Sequence, residues 1–253
     1  MLVSHTHKFI FLKTHKTAST SVAMAFEPFC TPDEHVVAMG TPAILSAFGI
    51  VGARDGENRK WRKNEPIWKG HMTAEELSRR LPIEWSKYLK FTCVRNPFDR
   101  ALSKFLFRMR NSGAARFASV DAIREGLSRW LHGGGLKSDS RITMLNGEAA
   151  FDEVIRFENL KDDIGRIAKR VGVEVDTDNL PHARNNAASR LGCSVDDVFD
   201  RHMREIVVTA DRWVIEAGFY QDDPMVQSII ASDCIAHLDR SETRAIPDHE
   251  ARS

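Results

Sequence analysis

Of the 253 residues, 42% are hydrophobic and 28% charged, and 36 Lys+Arg face 35 Asp+Glu for a formal net charge of +1. That length and apolar fraction suit one α/β domain with insertions and exclude predominant disorder; the even charge balance argues against non-specific nucleic-acid binding. Four scattered cysteines (Cys30, Cys93, Cys193, Cys234), none in a CxxC pair, exclude a disulfide scaffold and offer no zinc or redox spacing.

The apolar run from Phe9 to Leu12 is too short for a signal peptide, and no stretch approaches 18 uncharged apolar residues. The expectation is a cytoplasmic protein with no membrane span. In chain order, KFIFLKT (8–14) predicts a buried strand, HKTASTS a tight polar loop, and SVAMAFEPF a helix ending near Pro28. Residues 40–66, with Gly, Pro and the basic cluster Arg59, Lys60, Arg62 and Lys63, read as a lid or excursion rather than a layer element. HMTAEELSRRL (71–81) is helical, with Thr73 and Glu76 forming a capping box.

KYLKFTCVR (87–95) predicts a second strand, and Pro97 opens the helix FDRALSKFLFRMR. After a second excursion over 111–150, which includes the break HGGGLKSDSR, VIRF reads as a third strand, followed by a helix over about 159–171. Ser194 and Asp197 are placed to cap a last long helix over about 195–217, and the tail 238–253 is expected to be disordered, leaving a single domain over 1–237. Strands alternating with helices imply parallel βαβ units, with helices on both faces and ligands beyond the carboxyl ends of the strands.

Two loops leave such strand ends. In the first, Lys13-Thr-His-Lys-Thr-Ala-Ser-Thr-Ser21, small residues allow backbone N–H groups to converge on an anion; Thr17, Ser19, Thr20 and Ser21 add hydroxyl donors and Lys16 a charge. It contains no glycine, so it is not a Walker loop. In the second, VRNPFDRALS, Arg95 can fork onto a phosphate, and Ser103 lies two turns into the following helix.

KTHKTASTSV and FTCVRNPFDRALSKF together resemble the two nucleotide-binding signatures of the sulfotransferases, in the branch that includes carbohydrate sulfotransferases and their soluble bacterial relatives. VIRFENLKDDIGRIAKRVGV, LPHARNNAASR and DRWVIEAGFY extend the likeness over roughly residues 8–220. The resemblance implies a three-layer, P-loop-NTPase-like fold around a central parallel sheet. It implies a PAPS (3′-phosphoadenosine 5′-phosphosulfate) site made by Lys13, His15, Lys16, Thr17, Ala18, Ser19, Thr20 and Ser21 around the 5′-phosphosulfate, with Arg95 and Ser103, eight residues apart, on the 3′-phosphate. A strand beginning near residue 8, where relatives carry a membrane anchor, favours the cytosolic bacterial type.

His71, between the motifs and just ahead of a capped helix, is the candidate general base, as the resemblance also implies for this interval; Lys16 is the candidate stabiliser of the leaving phosphate. His15 suits a phosphate contact, and His182 has no assigned role. Trp61, interleaved with the cations of the first excursion, and nearby Trp68 suit an anionic or sugar acceptor. The expected activity is sulfuryl transfer from PAPS to a hydroxyl, a carbohydrate among the candidates, with no metal. The alternatives are an ATP-dependent small-molecule kinase and a non-catalytic nucleotide- or glycan-binding module.

Overall fold

The computed structural model describes residues 1–38, 40–54, 68–112, 119–180 and 195–231. The basic cluster at 59–63, His182 and the tail 238–253 lie outside the described residues. In chain order the elements are β1 (Leu2–Ser4), β2 (Phe9–Leu12), α1 (Ser19–Phe26), β3 (Ile44–Leu45), β4 (Gly49–Val51), α2 (Ala74–Arg80), α3 (Pro82–Lys87), β5 (Leu89–Val94) and α4 (Pro97–Asn111). There follow α5 (Val120–His132), α6 (Ser140–Thr143), β6 (Met144–Leu145), β7 (Glu148–Ala149), β8 (Glu153–Arg156), α7 (Leu160–Val171), α8 (Arg201–Ala210) and α9 (Arg212–Glu216).

The main sheet runs β3-β4-β1-β2-β5-β8. β2, β5 and β8 pair in parallel, with Phe11 opposite Phe91 and Thr92 opposite Val154. The β1–β2, β1–β4 and β3–β4 pairings are antiparallel. The sheet is therefore mixed: β2, β5 and β8 form the expected parallel part, and the other three pairings, which the expectation of a parallel sheet did not include, are antiparallel. The added edge comes from β1 and from the first half of the 40–66 excursion, where β3 and β4 form a short ribbon instead of a free lid. Glycine is required at position 49 because a Cβ there would lie 2.0 Å from the Val3 carbonyl oxygen.

Alternation along β2 divides the core. Phe9 and Phe11 point to the face where α1 and α7 pack through Val22, Phe26, Ile164 and Ile167. Ile10 and Leu12 point to the other, where Met72, Ala74 and Leu77 close over them. Phe9, Phe11, Phe26 and Phe91 are fully buried, each side chain contributing about 1.5–3 kcal/mol by leaving water. A separate core joins α4, α5 and α8 through Phe98, Phe105, Leu127 and Met203.

The second excursion is thus more regular than expected, because Ile123, Leu127 and Leu131 give α5 a buried stripe. The last long helix is shorter than expected. Asp200, not Ser194 or Asp197, caps it, accepting from Met203 N, and it breaks at Asp211 before α9. Ser194 itself lies outside the described residues.

Candidate active site

Because β2 and β5 are parallel neighbours, the two motif loops leave the same end of the sheet side by side. Thr14 joins them: its hydroxyl donates to the Cys93 carbonyl at 2.6 Å and lies 2.8 Å from the Thr17 hydroxyl. Since Thr14 spends its one O–H on Cys93, Thr17 must donate to Thr14. Ser19 Oγ donates to the Thr14 carbonyl. The hydroxyls of Thr17 and Ser19, expected to face an anion, instead fold the loop, and both residues are buried.

The backbone makes the cradle. Lys16 and Ala18 hold φ of 65° and 60° without glycine, a left-handed conformation that costs an L-residue roughly 1–2 kcal/mol. Ala18, at the start of α1, supplies no side-chain cap, as is also the case at α3, α6, α7 and α9. An uncapped helix start behind a strained turn is an electrostatic seat for an anion. Lys16 Nζ stands 4.4 Å from the centre of the Phe107 ring.

Arg95, 4% exposed, leaves β5 and reaches into the first loop, donating from Nη1 to the Lys16 carbonyl at 3.4 Å. Its other contacts are Asp99 Oδ1 at 3.4 Å and the Phe157 ring, 4.0 Å from Cζ. The buried Nε has no hydrogen-bond partner. Ser103 lies one helical turn beyond Asp99 and one before Phe107, on the flank of α4 that meets Arg95 and Lys16.

Carboxylates gather around Arg95. Asn96 N donates to Glu158 at 2.9 Å, Asn96 Nδ2 to Asp223 at 2.7 Å, and the Tyr220 hydroxyl to Glu158 at 2.6 Å. Burial raises the Asp99 carboxyl against the pull of Arg95, with Glu158 and Asp223 adding to the rise. It likewise raises the Tyr220 phenol, assisted by its hydrogen bond to Glu158. An anion held by Arg95 competes with Asp99 for the guanidinium.

His71 lies under the first loop, with Nδ1 2.8 Å from the Lys13 carbonyl, and its ring stacks on His15 at 3.9 Å between centroids and 13° between planes. Burial, then the charges of His15 and Lys13, lower the His71 imidazole to about 3 against the opposing effect of the carbonyl contact. His15 is held by Asp139, to which its backbone N donates at 2.7 Å and its Nδ1 lies at 2.6 Å. Asp139 in turn meets Arg100 at 3.3 Å, and Arg100 forks onto Asp211.

Sequence reading did not single out Asp139, Arg100 or Asp211. Asp139 is 124 residues from His15, and the one hint was a lone acidic residue in a Gly- and Ser-rich break. Among the described residues no group of three or more His, Cys, Asp or Glu could hold a metal ion, and no helix is long and apolar enough to cross a membrane.

A family model described as Sulfotransferase family matches residues 1–132, which hold both loops, the imidazole pair and α4. This is just over half of the 253 residues. The chain belongs to the sulfotransferase family. No curated protein and no solved structure matches it. Sulfuryl transfer is the general activity of this family.

Proposed function

We propose that the protein transfers the sulfuryl group of PAPS to an acceptor hydroxyl, giving PAP and a sulfate ester. The observation that carries this reading is the meeting of the two motif loops, Arg95 on the Lys16 carbonyl and Thr14 on the Cys93 carbonyl, around an uncapped, left-handed turn. The strand–loop–helix unit and the helices on both sheet faces support a P-loop-like scaffold. The residues fit the donor: the 15–19 turn and Lys16 would hold the phosphosulfate, and Arg95 with Ser103 the 3′-phosphate.

In such a transfer the protein aligns donor and acceptor and neutralises charge on the leaving phosphate, the task given to Lys16. An imidazole of the stacked pair takes the acceptor proton, and the resemblance puts that role on His71. The absence of a glycine-rich Walker loop weighs against the kinase alternative.

For the acceptor, a cleft of about 400 Å³ opens beside Phe107 and is lined by Lys104, Arg108, Asn111 and Trp130 among others. Aromatic rings between cations suit a sugar with acidic groups. The test is a screen of labelled PAPS against hydroxylated glycans, lipids and small phenols, with Lys16→Ala alongside. Label should move to a glycan, and the variant should lose kcat far more than PAPS affinity. Label transfer to no acceptor class, or an unchanged kcat for Lys16→Ala, would overturn the corresponding part of the reading.

A further inference from the structure

The two stacked imidazoles are anchored on different chemistry. His71 Nδ1 meets a neutral acceptor, the Lys13 carbonyl, at 2.8 Å. His15 Nδ1 meets an anionic one, Asp139 Oδ1, at 2.6 Å, and the His15 backbone N–H donates to the second oxygen of the same carboxylate at 2.7 Å. Both anchors are acceptors, so both rings carry their proton on Nδ1 and present Nε2 as the end able to accept another.

A carboxylate behind an imidazole fixes its tautomer and stabilises the imidazolium formed on proton uptake; a carbonyl does the second far less well. Access points the same way. The His15 side chain is 40% exposed and Asp139 only 3%, whereas burial holds His71 neutral.

The surrounding charges add a third argument. Asp139 and Asp211 are both buried, and both share Arg100, which gives Nη1 to Asp139 and Nε and Nη2 to Asp211. Two carboxylates thus share one guanidinium, and burial raises the Asp211 carboxyl against the pull of Arg100. Lys104, on the next turn of α4, is the other cation that senses these carboxylates, and its Nζ donates to the Lys137 carbonyl at 3.2 Å. Burial opposes ionisation of Asp139, yet the His15 hydrogen bond and the Arg100 charge hold its carboxyl below the ordinary range. An imidazolium at His15 places its charge directly against the Asp139 carboxylate without any side chain moving.

We propose that Nε2 of His15 accepts the proton of the acceptor hydroxyl, with Asp139 as the positioning residue behind it and His71 as the neutral stacked partner. This rests on the sulfuryl-transfer reading above. The acceptor oxygen forms its bond to sulfur as the bond from sulfur to the 5′-phosphate oxygen breaks. The electron pair of the broken bond stays on the phosphate beside Lys16, and the hydroxyl proton passes to His15 and then to water.

The test compares His15→Asn, His71→Asn and Asp139→Asn in the full chain. Asn keeps a donor near the Nδ1 position and removes Nε2. PAP release from PAPS, with water as acceptor, gives kcat, calorimetry gives PAP affinity, and carbethoxylation by diethyl pyrocarbonate reads imidazole nucleophilicity without turnover. His15→Asn and Asp139→Asn should each lower kcat by roughly 10²–10⁴-fold, far more than any loss of PAP affinity, and the double variant should be no slower than His15→Asn.

His71→Asn should lose less than about tenfold, and in the wild type His15 should be modified before His71, more slowly once Asp139 is Asn. If buried Asp139→Asn fails to fold, half-exposed His15→Asn still decides. A large loss in His71→Asn beside near-native His15→Asn, or modification of His71 first, would overturn the assignment and leave the sulfuryl-transfer reading standing. A wild-type chain that binds no PAP would overturn that reading itself.

Discussion

Arg95 and Asp99 face each other at 3.4 Å across the first turn of α4, so the guanidinium offered to a 3′-phosphate already holds a carboxylate. The pair makes two opposite predictions. Arg95→Ala removes hydrogen bonds to a charged group, each worth about 1.5–3 kcal/mol, and should weaken PAP roughly tenfold to a hundredfold. Binding of adenosine 5′-phosphosulfate, which lacks the 3′-phosphate, should change little. Asp99→Asn removes the competing charge and should tighten PAP. Calorimetry on both variants checks this; equal losses for the two nucleotides would make Arg95 structural.

His71 makes a prediction about acid stability. Its imidazole is lowered to about 3 in the folded chain from about 6.5 in the unfolded one. Between these values the unfolded state binds the extra proton, so this contribution to stability is fully present above 6.5 and is lost as pH falls toward 3. Two pH units below 6.5 correspond to about 2–3 kcal/mol. Urea melts at pH 6.5 and 4.5 should show a steeper loss for wild type than for His71→Asn, which has no such proton to bind. Equal slopes would mean that His71 titrates normally.

Thr14 bridges the two loops, so Thr14→Val should leave the buried Cys93 carbonyl and Thr17 hydroxyl without their partner. The cost is about 1–3 kcal/mol per buried polar group left unpaired. Denaturant midpoints measure it, and PAP affinity should fall with stability because the cradle and Arg95 lose their common support.

The left-handed turn gives a prediction of opposite sign. Ala18→Gly should stabilise the chain by about 1 kcal/mol by relieving its positive φ, whereas Ala18→Val should destabilise it and weaken PAP. Thermal melts of the three chains, with and without PAP, decide. A destabilised Ala18→Gly would mean that the turn is not strained.

The elements nearest the chemistry were legible because their signals are local. The Phe-Ile-Phe-Leu run gives β2, Pro97 after Asn96 gives the start of α4, and Thr73 with Glu76 forms the capping box read from spacing alone. β1, β3 and β4 were not legible: each has two or three residues and depends on partners rather than on a periodic pattern of its own. The break at Asp211 was hidden because Val207 and Val214 keep helical register across it, while the side chain at the break is turned to buried Arg100. Asp139 was invisible for the same reason: its partner His15 is near only in the fold.

The most direct measurement is calorimetric titration of the wild-type chain with PAP in the absence of divalent metal, set against ATP with Mg²⁺. PAP should bind, more tightly than ATP with Mg²⁺, and this advantage should disappear in Arg95→Ala. Tighter binding of ATP with Mg²⁺, or no binding of PAP, would contradict the assignment of the two loops to a PAPS site.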